Sequence, residues 1–135
     1  LHSFPTRRSS DLIIIKWLAQ QKKILKILYP YKTSSTNYKL WKKYYSGASG
    51  LLGIVIKSKS KSSVYKFVNS LELFGIGYSW GGFESLAVYN DPIIEMGKRL
   101  FFKLEKNQHL IRLHIGLEDP KDLINDLRRS LRFVK

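Results

Sequence analysis

The chain has 135 residues, 44% of them hydrophobic, which suits one domain with a real core and argues against wholesale disorder. It has no cysteine, so no disulfide framework and no thiolate metal site, and its three histidines, His2, His109 and His114, lack helical metal-ligand spacing. The net charge is +14, but the lysines are scattered and no arginine-rich run or nucleic-acid motif accompanies them, so they read as a solvated surface. A basic nucleic-acid-binding domain is the competing reading from another functional class.

No run of apolar residues is long enough to span a membrane, and no secretory signal pattern is present, so the default expectation is a cytoplasmic protein without a membrane partner. Residues 1–12, LHSFPTRRSSDL, have no apolar period and resemble a translated adaptor scar. They are expected to be a non-native or disordered leader outside the fold, with the natural N-terminal part of the chain missing.

From Ile13 the pattern is helical: Ile14, Trp17, Leu18, Gln21, Leu25 and Leu28 recur at three-four spacing, and Tyr29-Pro30 stops the run. A short helix is expected over Tyr38–Tyr45, ended by GASG. LLGIVI at Leu51–Ile56 is short, apolar and β-branched, which suits a buried strand. SKSKSS then offers serine caps to a helix whose stripe is Val64, Phe67, Val68, Leu71 and Phe74, with Gly75 as its stop.

Ser85–Tyr89 reads as a strand, and a short helix is expected around Met96–Phe102. In His109–Ile115, Leu110, Arg112 and His114 fall on one face and Ile111, Leu113 and Ile115 on the other. Asp119-Pro120 opens a last helix with the cap residue and the first-turn proline that helices favour. Its apolar stripe is Leu123, Ile124, Leu127, Leu131 and Val134. The expected class is α+β, a small and mostly antiparallel sheet with helices on one face.

Two places could carry chemistry. Arg112 points away from the core face of its strand, and its planar guanidinium matches a carboxylate at two points; an ordinary solvated arginine is the plainer alternative. GIGYSWGGFESL, Gly75–Leu86, sets Tyr78, Ser79 and Trp80 among four glycines, so the rings could line a pocket or merely cover a sheet edge. His114 could be a base, but a lone histidine is more often structural. Glu84 and Ser85 read as residues that fix the turn. No nucleophile elbow, zinc-protease motif or Walker loop occurs, and no base has an orienting partner.

LFGIGYSWGGFESLAV, followed after a gap by LIRLHIGLEDPKDLINDLRRSL, resembles the C-terminal domain of the pyridoxal-phosphate-dependent enzymes of cysteine and methionine metabolism. WLAQQKKILKILYP and LWKKYYSGASGLLGIVIK are similar to the approach to that domain, so the resemblance runs from Ile13 to about Phe133. Within the family, Trp80 and the ending IRLHIGLEDP are most like the bacterial cystathionine beta-lyases; sister gamma-synthases and gamma-lyases tend to have leucine at the Trp80 position.

The resemblance implies a fold-type I enzyme with residues 13–30 as the end of an interdomain helix and 31–135 as the small C-terminal domain. It implies pyridoxal 5'-phosphate in the full-length parent, cystathionine as the amino-acid substrate, β-elimination to homocysteine, pyruvate and ammonia in methionine biosynthesis, and a homotetramer. Arg112 matches the arginine that grips the substrate carboxylate, and Tyr78, Ser79 and Trp80 match the substrate-binding wall. The Schiff-base lysine and the cofactor-gripping residues belong to the part of the family that precedes this one. Residues 1–135 are therefore expected to hold no catalytic, cofactor-binding or metal-binding residue and to be inactive alone.

Overall fold

The computed structural model describes residues 7–90 and 104–135, with side chains from Ser10 onward. Helix α1 (Arg7–Leu18) leads into strand β1 (Ile24–Leu28), then helix α2 (Tyr38–Tyr44), strand β2 (Leu51–Lys57) and helix α3 (Lys61–Asn69). Strands β3 (Gly75–Ile76), β4 (Leu86–Tyr89) and β5 (Gln108–His114) and helix α4 (Pro120–Leu131) follow. The helix expected around Met96–Phe102 lies outside the described residues.

The strands form one five-stranded sheet in the order β1-β2-β5-β4-β3. All pairs are antiparallel except the short β3–β4 contact. The apolar face of β2 and β5, with Leu52, Ile54, Ile56, Ile111 and Leu113, packs into a single core with Ile14 and Leu18 of α1, Val64 and Phe67 of α3, and Leu123 and Leu127 of α4. The fold is thus α+β, with the sheet mostly antiparallel, as the periodicities predict. Strand β5 sits at its centre, between β2 and β4, with Arg112 in register with Gly53 on one side and Val88 on the other.

Three boundaries differ from the sequence reading. The helix expected from Ile13 to Leu28 ends at Leu18, and Ile24–Leu28 is an edge strand on β2 with a bulge between Ile24 and Lys26. Residues ILKIL satisfy a helical and an extended pattern equally; the open edge of LLGIVI supplies backbone partners that decide for the strand. Residues 7–12, read as lying outside the fold, form the start of α1, where Ser10 and Asp11 are buried.

The third difference is the end of α3, which stops at Asn69 rather than at Gly75. Ser60 caps its start, accepting from the Ser63 amide at 3.2 Å. Beyond its end the amides of Glu72, Leu73 and Phe74 turn toward the buried Asp126 carboxylate of α4, at 2.8–3.4 Å. That carboxylate offers these amides a better set of acceptors than another helical turn, and it still lets Phe74 reach the core. Arg129 completes the cluster with ion pairs to Asp126 and Glu72; its bond to Glu72, and then that to Asp126, push the guanidinium pKa further up.

Candidate functional site

Arg112 leaves the middle of β5 on the face opposite the helices, half-buried. Its Nη2 donates to the Ser79 carbonyl at 3.4 Å, and the guanidinium carbon lies 5.9 Å from the centre of the Trp80 ring. Both contacts are long, so they steer the guanidinium without using up its five donors. Among the described residues no carboxylate forms an ion pair with it. Arg112 is brought to Ser79 and Trp80 from 33 residues further along the chain, and Tyr78 is on the same loop as these two.

The loop 77–85 presents an apolar surface. Trp80 is 67% exposed and Phe83 69%, with Ile76, Tyr78 and Leu117 also exposed. Rings this open are not core residues, and a loop would not keep them fixed unless its backbone were tied down. Three ties do so. His114, buried on β5, receives the Gly81 amide on Nε2 at 3.0 Å and gives its Nδ1 proton to the Glu84 carbonyl at 3.0 Å. Ser85 gives its amide and hydroxyl to the Glu118 carboxylate and receives the Gly116 amide on Oγ. The Leu117 amide donates to the Phe83 carbonyl at 2.9 Å.

Glycine matters at two positions here. Gly81 holds φ +78°, a left-handed conformation that side chains avoid. At Gly116 the obstacle is space: a Cβ would lie 2.2 Å from the Phe83 carbonyl oxygen and 2.6 Å from the Glu84 carbonyl carbon. The sequence marks Ser85 as a turn-fixing residue, and its side chain does that. Glu84 does it through its carbonyl instead. Glu118, Gly116 and the bridging part played by His114 are not visible in the sequence, since each depends on which segment lies across from it. The only hint is that Glu118 precedes an Asp119-Pro120 cap that does not need it.

A second buried histidine is structural. His109 Nε2 donates to the Ser58 carbonyl at 3.0 Å, leaving Nδ1 to accept the Tyr89 hydroxyl at 2.6 Å. This cluster sits on the core side of the sheet, away from Arg112. A cavity of about 560 Å³ lies between the end of β1, α2 and the start of β2, walled by Tyr29, Trp41, Tyr45 and Leu51; no acidic or basic side chain lines it, and Arg112 is not part of it.

Among the described residues no three His, Asp or Glu side chains gather as a metal site, and no helix is long and apolar enough to cross a membrane. No described lysine is buried, and Lys23, one of the more enclosed, spends its Nζ on the carbonyls of Leu131 and Val134 at the end of α4. An aldehyde cofactor held through a lysine needs that amine in an enclosed, pre-aimed setting. The described residues do not fit such a cofactor; they fit an anion beside a flat apolar wall.

The profile described as "Cys/Met metabolism PLP-dependent enzyme" matches residues 5–132. The chain is 37% identical to cystathionine beta-lyase MetC of Escherichia coli K12 over 119 residues, 87% of this chain and 30% of that protein. It is also 37% identical to the L-alanine/L-glutamate racemase of Wolbachia pipientis wMel over 126 residues, 92% of this chain and 30% of that one. Cystathionine gamma-lyase of Mus musculus is 34% identical over 127 residues, 91% of this chain and 31% of that enzyme. The chain thus spans about a third of the length of the curated relatives it matches. With the family comes pyridoxal phosphate as the cofactor of its full-length members. A match over nearly the whole chain, on a sheet that carries Arg112 and the Trp80 loop, makes this chain a member of the Cys/Met metabolism PLP-dependent enzyme family.

Proposed function

We propose that this chain is the substrate-gripping part of a pyridoxal-phosphate-dependent carbon–sulfur lyase acting by β-elimination on cystathionine. In this reading Arg112 holds the α-carboxylate of the amino acid, and Tyr78, Ser79 and Trp80 wall the space beside it. The residues 31–135 are the small domain of that enzyme, and the lysine chemistry is supplied by the larger domain.

One observation carries the reading. The Arg112 guanidinium is aimed by Ser79 and Trp80, yet has most of its donors unspent and no carboxylate partner among the described residues. A planar fork of this kind binds a carboxylate at two points and fixes its direction as well as its position. Direction matters in this chemistry, because only a substrate held at the correct angle presents the bond to be broken. Trp80 favours a beta-lyase over its gamma-type sisters, and the beta-lyase of Escherichia coli is among the relatives.

The test is a chimera in which this chain replaces the matching third of the Escherichia coli enzyme. Cystathionine is supplied, and the products are separated. Pyruvate with homocysteine supports the proposal. Cysteine with 2-oxobutyrate assigns the chain to the gamma-lyase branch; in a parallel assay with L-alanine, formation of D-alanine without elimination from cystathionine assigns it to the racemase branch.

A further inference from the structure

We propose that two joined cavities beside α2 bind a nucleotide, its base against the rings of Trp41 and Tyr45 and its phosphate at Lys32 and the hydroxyls of residues 34–36. The site shares no residue with the one around Arg112, and the inference does not rest on the carboxylate-binding reading above.

Charge is segregated along the chain more sharply than its total suggests. Residues 12–71 hold twelve lysines and no aspartate or glutamate, while nine of the ten acidic residues come after them. This stretch supplies most of α1 and all of β1, α2, β2 and α3. These elements therefore carry a positive field with no acid of their own to offset it. Such a field draws in anions, and a cleft with low-dielectric walls concentrates it.

Two cavities open within this stretch. The first, of about 590 Å³, lies between β1 and the connection to α2, and Lys32, Ser34, Ser35 and Thr36 line it. The second, of about 560 Å³, is walled by Tyr31, Trp41, Tyr45 and Leu51. Tyr29, Pro30 and Asn37 line both, so the two share a wall. Among the described residues no aspartate or glutamate lines either one. One compartment is thus cationic and rich in hydroxyls, and its neighbour is aromatic. Lysine charge with serine and threonine hydroxyls is the donor set for a phosphate. Aromatic rings are the platform for a flat base. A nucleotide carries both groups on one sugar, and each cavity is of the size that small ligands fill. Asn37, on the shared wall, has an amide able both to donate to and to accept from a base edge.

The aromatic half is braced open. The Tyr29 hydroxyl donates to the Ser49 carbonyl and the Trp41 indole donates to the Gly47 carbonyl, both at 3.1 Å. These bonds tie β1 and α2 to the segment that leads into β2. Tyr31 stands edge-on to Trp41 with ring centres 4.6 Å apart, which fixes the plane of the indole. Tyr45 is 66% exposed, a ring left uncovered on a cavity wall. Lys32 is half-buried and has no carboxylate partner among the described residues. Beyond the cavities, Lys39, Lys42 and Lys43 of α2 are exposed. They extend the basic surface past a single phosphate, so a free nucleotide and one nucleotide of a single strand offer the site the same chemistry.

The experiment is NMR on the 135-residue chain labelled with ¹⁵N, titrated with adenosine 5'-monophosphate, with adenosine and with inorganic phosphate. The monophosphate is expected to shift the Trp41 indole signal and the amides of residues 34–37 on one binding curve. Adenosine and phosphate, each lacking one half of the ligand, are expected to bind weaker by about tenfold or more. Tyr45→Ala is expected to weaken the monophosphate by about fivefold or more and to leave inorganic phosphate unchanged. Lys32→Gln is expected to weaken both and to flatten the salt dependence. Both side chains reach the surface, so neither substitution opens the core.

Octaadenylate separates the two sources. Affinity more than tenfold above that of the monophosphate assigns the site to single-stranded nucleic acid, and equal affinity assigns it to the free nucleotide; both support the proposal. Adenosine monophosphate that binds no better than inorganic phosphate, or shifts that bypass Trp41 and residues 34–37, overturns it. So does a Tyr45→Ala variant that binds the monophosphate as the parent does.

Discussion

Ser85 and Glu118 are bonded twice. The Ser85 amide and hydroxyl reach the two oxygens of one carboxylate at 2.9 and 2.7 Å, and the same hydroxyl receives the Gly116 amide at 2.8 Å. The serine is buried, so removing its oxygen strands an amide and part of a carboxylate away from water. Ser85→Ala is expected to cost about 1–3 kcal/mol. A thermal melt followed by circular dichroism should show a midpoint lower by several degrees, while Ser46→Ala, at an exposed position, should stay within about 0.5 kcal/mol of the parent.

Gly116 and Gly81 border the same loop and fail for different reasons. A methyl group at Gly116 meets backbone atoms of Phe83 and Glu84 that cannot swing aside as a side chain could. Gly116→Ala is therefore expected to destabilise by about 2–3 kcal/mol or to prevent folding. At Gly81 the methyl has open space but the backbone is left-handed, so Gly81→Ala is expected to cost only about 1–2 kcal/mol. Urea unfolding of the two variants in parallel checks the order; a Gly81 variant less stable than the Gly116 variant contradicts this account.

Much of this architecture is legible in the residue pattern, and the failures have a common cause. Strand β5 and helix α4 are readable because their signals are local: alternation in LIRLHI, and a cap, a proline and a three-four stripe in DPKDLINDLRRSL. Arg112 is readable as a residue pointing away from the core for the same reason. The break after Leu18 is not readable, because ILKIL becomes a strand only when the edge of β2 is there to pair with it. The end of α3 is not readable either, since its stop comes from Asp126, more than fifty residues later in the chain. In the site, the loop residues Tyr78–Trp80 stand out by composition, whereas His114, Gly116 and Glu118 act on atoms that only the fold brings near.

Asp126, like Glu118, is a carboxylate that gathers backbone amides of a distant segment. It is buried and accepts the amides of Glu72, Leu73 and Phe74 while pairing with Arg129. Asp126→Ala leaves those amides and a guanidinium without their acceptor and is expected to cost about 3 kcal/mol or more. Asp126→Asn keeps an acceptor oxygen but loses the charge, and should fall between the two. Hydrogen exchange should localise the damage: the amides of residues 72–74 are expected to lose protection first, and loss confined to distant strands would rule out the capping role.

The chimera that tests the function also tests Arg112. Lysine keeps the charge but presents a single compact ammonium in place of a planar fork. Arg112→Lys is expected to lower kcat/KM for cystathionine by about 10-fold or more, and the cofactor absorbance of the protein should be unchanged. An unaltered kcat/KM would remove Arg112 from the substrate site, and a loss of cofactor would mean that the residue supports the fold or the cofactor instead.

The chain by itself is expected neither to hold pyridoxal phosphate covalently nor to turn over cystathionine. Covalent capture needs one lysine amine kept unprotonated and aimed at the aldehyde, with the phosphate and the ring held on either side of it. The described lysines are all exposed or half-buried, and those on α2, Lys39, Lys42 and Lys43, face solvent around Trp41. Such amines are strongly hydrated and not aimed at any enclosed space, so they react with an aldehyde weakly and without preference for one position. The 135-residue chain is incubated with pyridoxal phosphate, reduced with borohydride, digested and mapped by mass spectrometry. Low labelling spread over several lysines is the expected result. Stoichiometric labelling of a single lysine would show an enclosed amine and a cofactor site within this chain.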